Sequence, residues 1–209
     1  SFYANKNITT CGEGGAVSTN DRNLAEKIRL LALHGMSKDG WNRFKIGGKW
    51  AYNVLELGYK YNLTDFAAAF GLWQMNYINE WHLIREKIVN LYHESFKSIN
   101  GMTLPSFSEP SYDAYHLYIV KIEPDFWKIA RDQIIIELNK LGIGTSVHYI
   151  PVHMHSYYTR KYGYKPQDFP RAKELSETVI SLPLYPGLSD DEVQYVIDIV
   201  FSIWEKYKV

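Results

Sequence analysis

Apolar positions recur at helical spacing in several stretches of the chain, and each stretch opens or closes on a residue suited to a helix end. Asn20 or Asp21 can cap a helix running to about Leu33, with Leu24, Ile28 and Leu31 on one face and Gly35 as its stop. Thr64 or Asp65 caps a second, whose alanine-dense start suits close packing. Its apolar positions continue through Trp73, Ile78, Trp81, Ile84, Ile88 and Leu91 to about Phe96, with room for a bend. The same reasoning predicts a helix over 127–141, ended by Gly142, and one opening on Pro170 and reaching about Ile180. Ser189-Asp190-Asp191-Glu192 is a capping-box pattern ahead of Val193, Val196, Ile197, Val200 and Ile203, which places the last helix. Strands are expected at 15–19, 115–122, 143–150 and, briefly, 181–184.

These elements define an α/β chain. The helical pattern over 64–96 is long enough to link two domains, and the turn-rich stretch 101–112, with two prolines, suits a boundary. Residues 1–100 and 101–209 are therefore expected to form separate parts, the second a small α/β unit. Residues 36–61 are rich in Gly, Lys, Trp and Asn without clear period, and a connection of that length is usually functional.

Composition narrows the partners. Lys plus Arg balances Asp plus Glu at 23 each, so there is no basic field for nucleic acid and no polybasic membrane patch. Any anionic ligand must be held by a local site. No apolar run is long enough to span a bilayer as a helix. The single cysteine, Cys11, rules out an intrachain disulfide and fits a reducing, cytoplasmic setting. Aromatic residues are in excess, with 17 Tyr, which either fill cores and interfaces or stack on a ring-shaped ligand. The chain opens on Ser-Phe-Tyr-Ala, without a starting Met, and upstream sequence is expected to precede it.

The most chemically suggestive segment is Ser1-Phe-Tyr-Ala-Asn-Lys6-Asn-Ile-Thr-Thr-Cys-Gly-Glu-Gly-Gly15. A lysine sits among short polar residues and glycines. A Schiff-base lysine needs a fixed position, a partly desolvated amine and room for a cofactor, and glycines permit that approach. Ser1 could donate its hydroxyl to a phosphate. Taken singly, though, a lysine near glycines is a loop lysine, and the spacing is not that of a phosphate-cradling nucleotide loop. His148, His153 and His155 are either structural imidazoles or metal ligands. Their spacing is not a usual zinc pattern and no cysteine accompanies them, so no metal is expected. Trp41, Arg43, Lys45 and Lys49 either border a ligand pocket or belong to a solvated loop.

Five segments, in order, change the weight of these alternatives. The lysine segment resembles the lysine motif of the DegT-type nucleotide-sugar aminotransferases, a pyridoxal-phosphate family of fold type I. His34-Gly-Met-Ser-Lys-Asp-Gly-Trp41 resembles a second family segment. Leu57-Gly-Tyr-Lys-Tyr-Asn-Leu-Thr-Asp65 with Ala67-Ala-Ala-Phe-Gly-Leu-Trp-Gln74 resembles a third. Gly144-Thr-Ser-Val-His-Tyr-Ile-Pro-Val-His153 and Ser181-Leu-Pro-Leu-Tyr-Pro186 resemble a fourth and fifth. The resemblance implies that the chain is the C-terminal part of such an enzyme: the end of the large cofactor-binding domain and linking helix, then the small α/β domain. It implies that Lys6 is the Schiff-base lysine and the acid/base of amino transfer, with Ser1 on the cofactor phosphate. The Gly-Tyr-Lys-Tyr-Asn segment is expected to reach the active site of a neighbouring subunit in a homodimer. Many members have Asn, then Arg, where this chain has Lys60, then Asn62, so here Lys60 or Asn62 is expected to meet the phosphate or substrate. His148, Trp41 and Lys49 are the expected substrate contacts. A Lys-x-Asn version also resembles the branch acting on UDP-linked 4-keto sugars in polysaccharide and lipopolysaccharide biosynthesis.

The implied reaction moves an amino group, from L-glutamate, to a UDP-linked 4-keto-6-deoxy sugar. The family's partner for the pyridine nitrogen, its ring-stacking aromatic and its phosphate-binding helix N-terminus lie upstream of the lysine. This chain alone is thus not expected to be a competent enzyme. Two other readings remain at this point. Dehydratase relatives carry His where the aminotransferases carry Lys, and Lys6 argues against them. A non-catalytic binding or regulatory module of the same fold stays open, because fold alone does not establish function.

Overall fold

The computed structural model describes residues 1–37, 46, 51–107 and 112–209. The chain divides into two compact units, Ser1–Ile78 and Asn79–Val209.

Among the described residues the first unit holds two helices. In α1 (Arg22–Ala32) the carboxylate of Asp21 accepts from the backbone N–H groups of Asn23 (2.8 Å) and Leu24 (3.1 Å), closing the open N-terminus. In α2 (Asp65–Met75) the Thr64 hydroxyl accepts from Ala67 N–H at 3.3 Å. The helical pattern expected over 64–96, with room for a bend, is interrupted. Asn76 and Tyr77 turn back onto the carbonyls of Trp73 and Gln74, and α3 (Ile78–Phe96) starts afresh. The strand expected at 15–19 does not form, since no described segment pairs with it.

The second unit is built on a three-stranded antiparallel sheet in the order β1 (Met102–Thr103), β2 (Tyr118–Ile122), β3 (Val179–Leu182). Met102 pairs with Ile122, and Tyr118, Val120 and Lys121 pair with Leu182, Ile180 and Val179. Along β2 burial alternates, with Tyr118, Val120 and Ile122 facing the core, as a period of two requires. The helices are α4 (Arg131–Lys140), α5 (Ser156–Tyr162), α6 (Pro170–Thr178) and α7 (Asp190–Tyr207). Ser189 and Glu192 form the expected capping box on α7, whose Val193, Val196, Ile197, Val200 and Ile203 are buried. The linking helix contributes directly here: Ile88, Val89, Tyr92 and Phe96 of α3 pack into the same core as Tyr118, Ile180 and Val193.

Two boundaries differ for local reasons. The helix expected from 127 begins at Arg131, because Pro124–Phe126 forms a 3-10 turn and Trp127 bridges to Lys208 instead. The strand expected over 143–150 shrinks to one bridge, Ser146 with Ser181. Gly144 and Pro151 bracket it, and neither supports a continued ladder.

Candidate functional site

Lys6 lies at the turn of a doubled-back loop. Phe2 N–H donates to Gly14 O (2.8 Å), Ala4 N–H to Gly12 O (3.2 Å) and Thr10 N–H to Phe2 O (3.1 Å), while Lys6 N–H closes a turn onto Tyr3 O at 3.0 Å. The lysine is half-buried. The return leg depends on glycine: Gly14 has φ +152°, and a β-carbon there would sit 2.1 Å from Thr10 Oγ1 and 3.4 Å from Leu63 Cδ1. The Thr10 hydroxyl is spent inside the loop, donating to Glu13 O at 2.6 Å. Beside the loop there is room, since a β-carbon at Gly12 would meet nothing within 4 Å. Ser1 is exposed at the loop's start, and its Oγ accepts from Tyr3 N–H at 3.3 Å, leaving the hydroxyl proton to donate elsewhere.

Leu63 connects this loop to the second cluster, because Asn62 immediately precedes it. Lys60 Nζ donates to Asn62 Oδ1, so the two candidate polar groups form one pair. The segment that carries them is laced to the end of α1. His34 N–H donates to Tyr59 O (2.7 Å), Tyr59 N–H to Leu31 O (2.7 Å) and Tyr61 N–H to Ala32 O (2.8 Å). The rings of Tyr59 and Tyr61 stack at 4.9 Å. The first unit thus brings Lys6 and Ser1 together in one loop and Lys60 and Asn62 together in one pair. Trp41 and Lys49, with Arg43 and Lys45, lie outside the described residues.

His148 belongs to the second unit and is also half-buried. Its Nδ1 lies 2.7 Å from the Oγ of Ser181, which is itself buried. The segment bearing Ser181 is held from α3: Tyr92 Oη donates to Pro183 O at 3.0 Å, and the buried Arg85 Nη1 donates to Leu184 O at 2.9 Å. Burial holds the Tyr92 hydroxyl well above the usual phenol range, so it remains a donor. His153 is buried, its Nε2 3.4 Å from Pro166 O and its ring 4.6 Å from that of Phe169, a structural environment. His155 is exposed. Among the described residues no three His, Cys, Asp or Glu side chains stand together as metal ligands. A concavity of about 540 Å³ in the second unit, walled by Ile122, Ala130, Arg131, Lys173 and Glu174, contains none of the candidate residues.

The described residues of the first unit thus offer a half-buried lysine in a glycine-lined loop, an exposed serine hydroxyl and a lysine–asparagine pair. The sequence profile of the DegT/DnrJ/EryC1/StrS aminotransferase family matches residues 1–201. The chain belongs to this family. The spore coat polysaccharide biosynthesis protein SpsC of Bacillus subtilis is 45% identical over 204 residues, which cover 97% of this chain and 52% of SpsC. Among solved structures, Helicobacter pylori PseC, an aminotransferase involved in pseudoaminic acid biosynthesis, superposes with a TM-score of 0.85 at 31% identity. That match covers 99% of this chain and 52% of PseC. The putative sugar aminotransferase Spr1654 of Streptococcus pneumoniae, in its PMP form, gives 0.82 at 31% identity, covering 99% and 52%. Spr1654 is also known in a PLP form, with a TM-score of 0.81 at 30% identity. The chain spans about half the length of the curated relatives it matches.

The residues present fit pyridoxal phosphate. Open space beside Gly12 adjoins the lysine loop, and Ser1, Lys60 and Asn62 offer donors of the kind a phosphate needs. No helix among the described residues is long and apolar enough to cross a membrane. The capping and periodic signals of the sequence find their helices, but the residues that hold the site in place, Thr10, Gln74 and Ser181, carry no signal beyond their presence in matching segments.

Proposed function

We propose that this chain is the lysine-bearing portion of a pyridoxal-phosphate-dependent aminotransferase that passes an amino group from L-glutamate to the keto carbon of a nucleotide-linked sugar. The observation that carries the reading is the lysine loop: Lys6, half-buried at the turn of a segment fixed by Phe2, Gly12 and Gly14, in a chain of a sugar aminotransferase family. Pyridoxal phosphate, when bound, supplies the electron sink that lets an amino group pass between carbon skeletons. With that cofactor bound, Lys6 Nζ would hold its aldehyde end, and as a free amine the same nitrogen would be the acid and base that moves the proton at the donor's α-carbon and, in the return half, at the sugar carbon. Ser1 Oγ donates to the phosphate, and Lys60 with Asn62 adds charge and a further donor to phosphate or substrate.

His148, Trp41 and Lys49 are the proposed substrate contacts, the last two lying outside the described residues. The sugar is a UDP-linked 4-keto-6-deoxy sugar, and the Lys60-Tyr-Asn62 pattern supports the UDP-linked 4-keto part of that assignment. In fold terms, the first unit belongs to a large cofactor-binding domain, and the linking helix, whose inner face packs in the second unit's core, joins it to the small domain. Large apolar side chains on α2 stand in solvent here, Phe66 at 76% and Leu72 at 70% exposure, and such a face needs cover. The remainder of the large domain and the second subunit of a homodimer supply it.

The test uses full-length protein with pyridoxal phosphate. A visible absorption band that disappears in Lys6→Ala is expected. Glutamate with a UDP-4-keto-6-deoxy sugar should then yield 2-oxoglutarate and the amino sugar. Wild-type protein without a lysine-dependent band would refute the assignment.

A further inference from the structure

Helix α2 buries one stripe, Ala67, Gly71 and Gln74, at spacings of four and three. Two of these are small, and they let the helix approach the lysine loop: a β-carbon at Gly71 would lie 2.8 Å from Thr10 Cγ2. The third is a polar side chain only 5% exposed. A buried carboxamide is costly unless its donors and acceptors are met. Gln74 meets them on a single residue. Its Nε2 donates to Thr9 O at 2.6 Å, and its Oε1 accepts from Thr9 N–H at 3.2 Å. The amide orientation follows from its partners, since the flipped group would oppose N–H to N–H and C=O to C=O.

Thr9 is three residues beyond Lys6, on the return leg of the loop. Its neighbour Thr10 bonds Phe2, at the start of the outgoing leg. The geometry points to Gln74 as the positioning residue for the lysine: a two-point clasp from a rigid helix that fixes the height and angle at which Lys6 leaves the loop. Gly71 is the space that brings the clasp within reach. The inference rests on the reading of Lys6 as the cofactor-bearing lysine. It goes beyond that reading by assigning the residue that holds Lys6 in register, because a reacting group misplaced by even 1 Å loses rate.

The experiment compares Gln74→Met and Gln74→Glu with wild type in the full-length protein. Met keeps the volume and removes both bonds. Glu keeps the acceptor for Thr9 N–H, but when ionised it faces Thr9 O with a negative charge, and when protonated it restores the donor. Amide hydrogen exchange around Thr9, corrected for intrinsic rates, should quicken about tenfold in Gln74→Met, with α1 unchanged. In Gln74→Glu, which keeps that acceptor, the rise should be smaller at neutral pH, where the carboxylate repels Thr9 O, and should vanish as the pH falls through the carboxyl's own pKa, which burial and Thr9 O hold above the ordinary glutamate value of about 4.3. If the Met variant does not fold, the two pH conditions of the Glu variant decide the point within one protein. The second readout is the pH at which the Lys6-dependent absorption band titrates. It should shift in both variants, whereas a loss of stability alone would lower the melting temperature without moving it. Wild-type exchange rates at Thr9 in both variants, or an unmoved titration, overturn the inference. A wild type with no lysine-dependent band overturns the reading of Lys6 instead, while the exchange rates still judge the clasp.

Discussion

The imidazole of His148 and the hydroxyl of Ser181 meet at 2.7 Å across 33 residues of sequence, beside a pair of backbone bonds that lock Ser146 to Ser181. The backbone pair, with Ser181 N–H donating at 2.8 Å and Ser146 N–H at 3.2 Å, fixes where the hydroxyl stands. The hydroxyl in turn selects the rotation of the ring. Ser181→Ala is therefore expected to keep the fold and cost about 1 kcal/mol. His148→Ala should cost a similar amount, and the double variant less than the sum. Chemical denaturation of the four proteins gives the coupling energy directly. Strict additivity would mean that the two side chains do not interact in solution.

Arg85 carries a charge into the second unit's interior without a carboxylate partner among the described residues. Its Nη1 spans two carbonyls, Leu184 O at 2.9 Å and Tyr115 O at 3.2 Å, so it ties α3 to two otherwise separate segments. Burial lowers its affinity for the proton, but a guanidinium starts so high that it stays charged at any physiological pH. Arg85→Lys cannot reproduce the planar fork, and Arg85→Met leaves both carbonyls without their donor. Each is expected to lose about 2 kcal/mol or more, read as a lower denaturation midpoint. A Met variant as stable as wild type would show that water replaces the guanidinium at no cost.

Glu137 gives the molecule an acid-sensitive joint. On α4, its carboxylate accepts from Lys140 Nζ at 2.7 Å and, from α7, from Lys206 Nζ and Tyr207 Oη, each at 3.2 Å. The Lys140 hydrogen bond, then that of Lys206, pulls its pKa from 4.5 down to about 2. The folded form therefore binds its proton less readily than the unfolded chain. The stabilisation is complete above the unfolded value and drains away as pH falls from about 4.5 to about 2. Glu137→Gln is expected to be less stable than wild type at pH 7, with the gap closing across that window. Urea midpoints at pH 7, 4 and 2.5 would measure it, and a gap that persists unchanged at the lowest pH would contradict the linkage.

Helix starts were legible because capping is a conversation between neighbours. Asp21, Thr64 and the Ser189–Glu192 pair each announce a helix within four residues, and each cap is found. The interruption at Asn76–Tyr77 is less visible, since the apolar period of α2 runs on into α3 with no Gly or Pro to mark a stop. Strand extent over 143–150 was not legible either. A ladder needs a partner, and β3 offers that segment only Ser181. The site divides in the same way. Lys6 can be picked out from a local motif, whereas Gln74 acts on Thr9 from 65 residues away, and nothing in the spacing of Leu-Trp-Gln74 announces a bidentate amide. Ser181 is similar: its hydroxyl matters only because residues 144–148 return to it.

Gly58 should be the least replaceable residue in the segment that presents Lys60. A β-carbon there would lie 2.2 Å from Gly35 N, 2.6 Å from His34 C and 2.9 Å from Leu31 O, all backbone atoms that no side-chain rotation can clear. Two backbone bonds flank the contact, His34 N–H to Tyr59 O and Tyr59 N–H to Leu31 O. Gly58→Ala must push the segment off the end of α1 and break at least one of them. The expected loss exceeds about 2 kcal/mol, accompanied by weaker pyridoxal phosphate binding in the full-length protein if Lys60 and Asn62 serve the phosphate. Gly144→Ala is the control, because a β-carbon at that position meets nothing within 4 Å. It should fall within about 0.5 kcal/mol of wild type. Equal melting temperatures for Gly58→Ala and Gly144→Ala would show that the 57–62 segment is free to move away from α1, and that the placement of Lys60 and Asn62 does not depend on it.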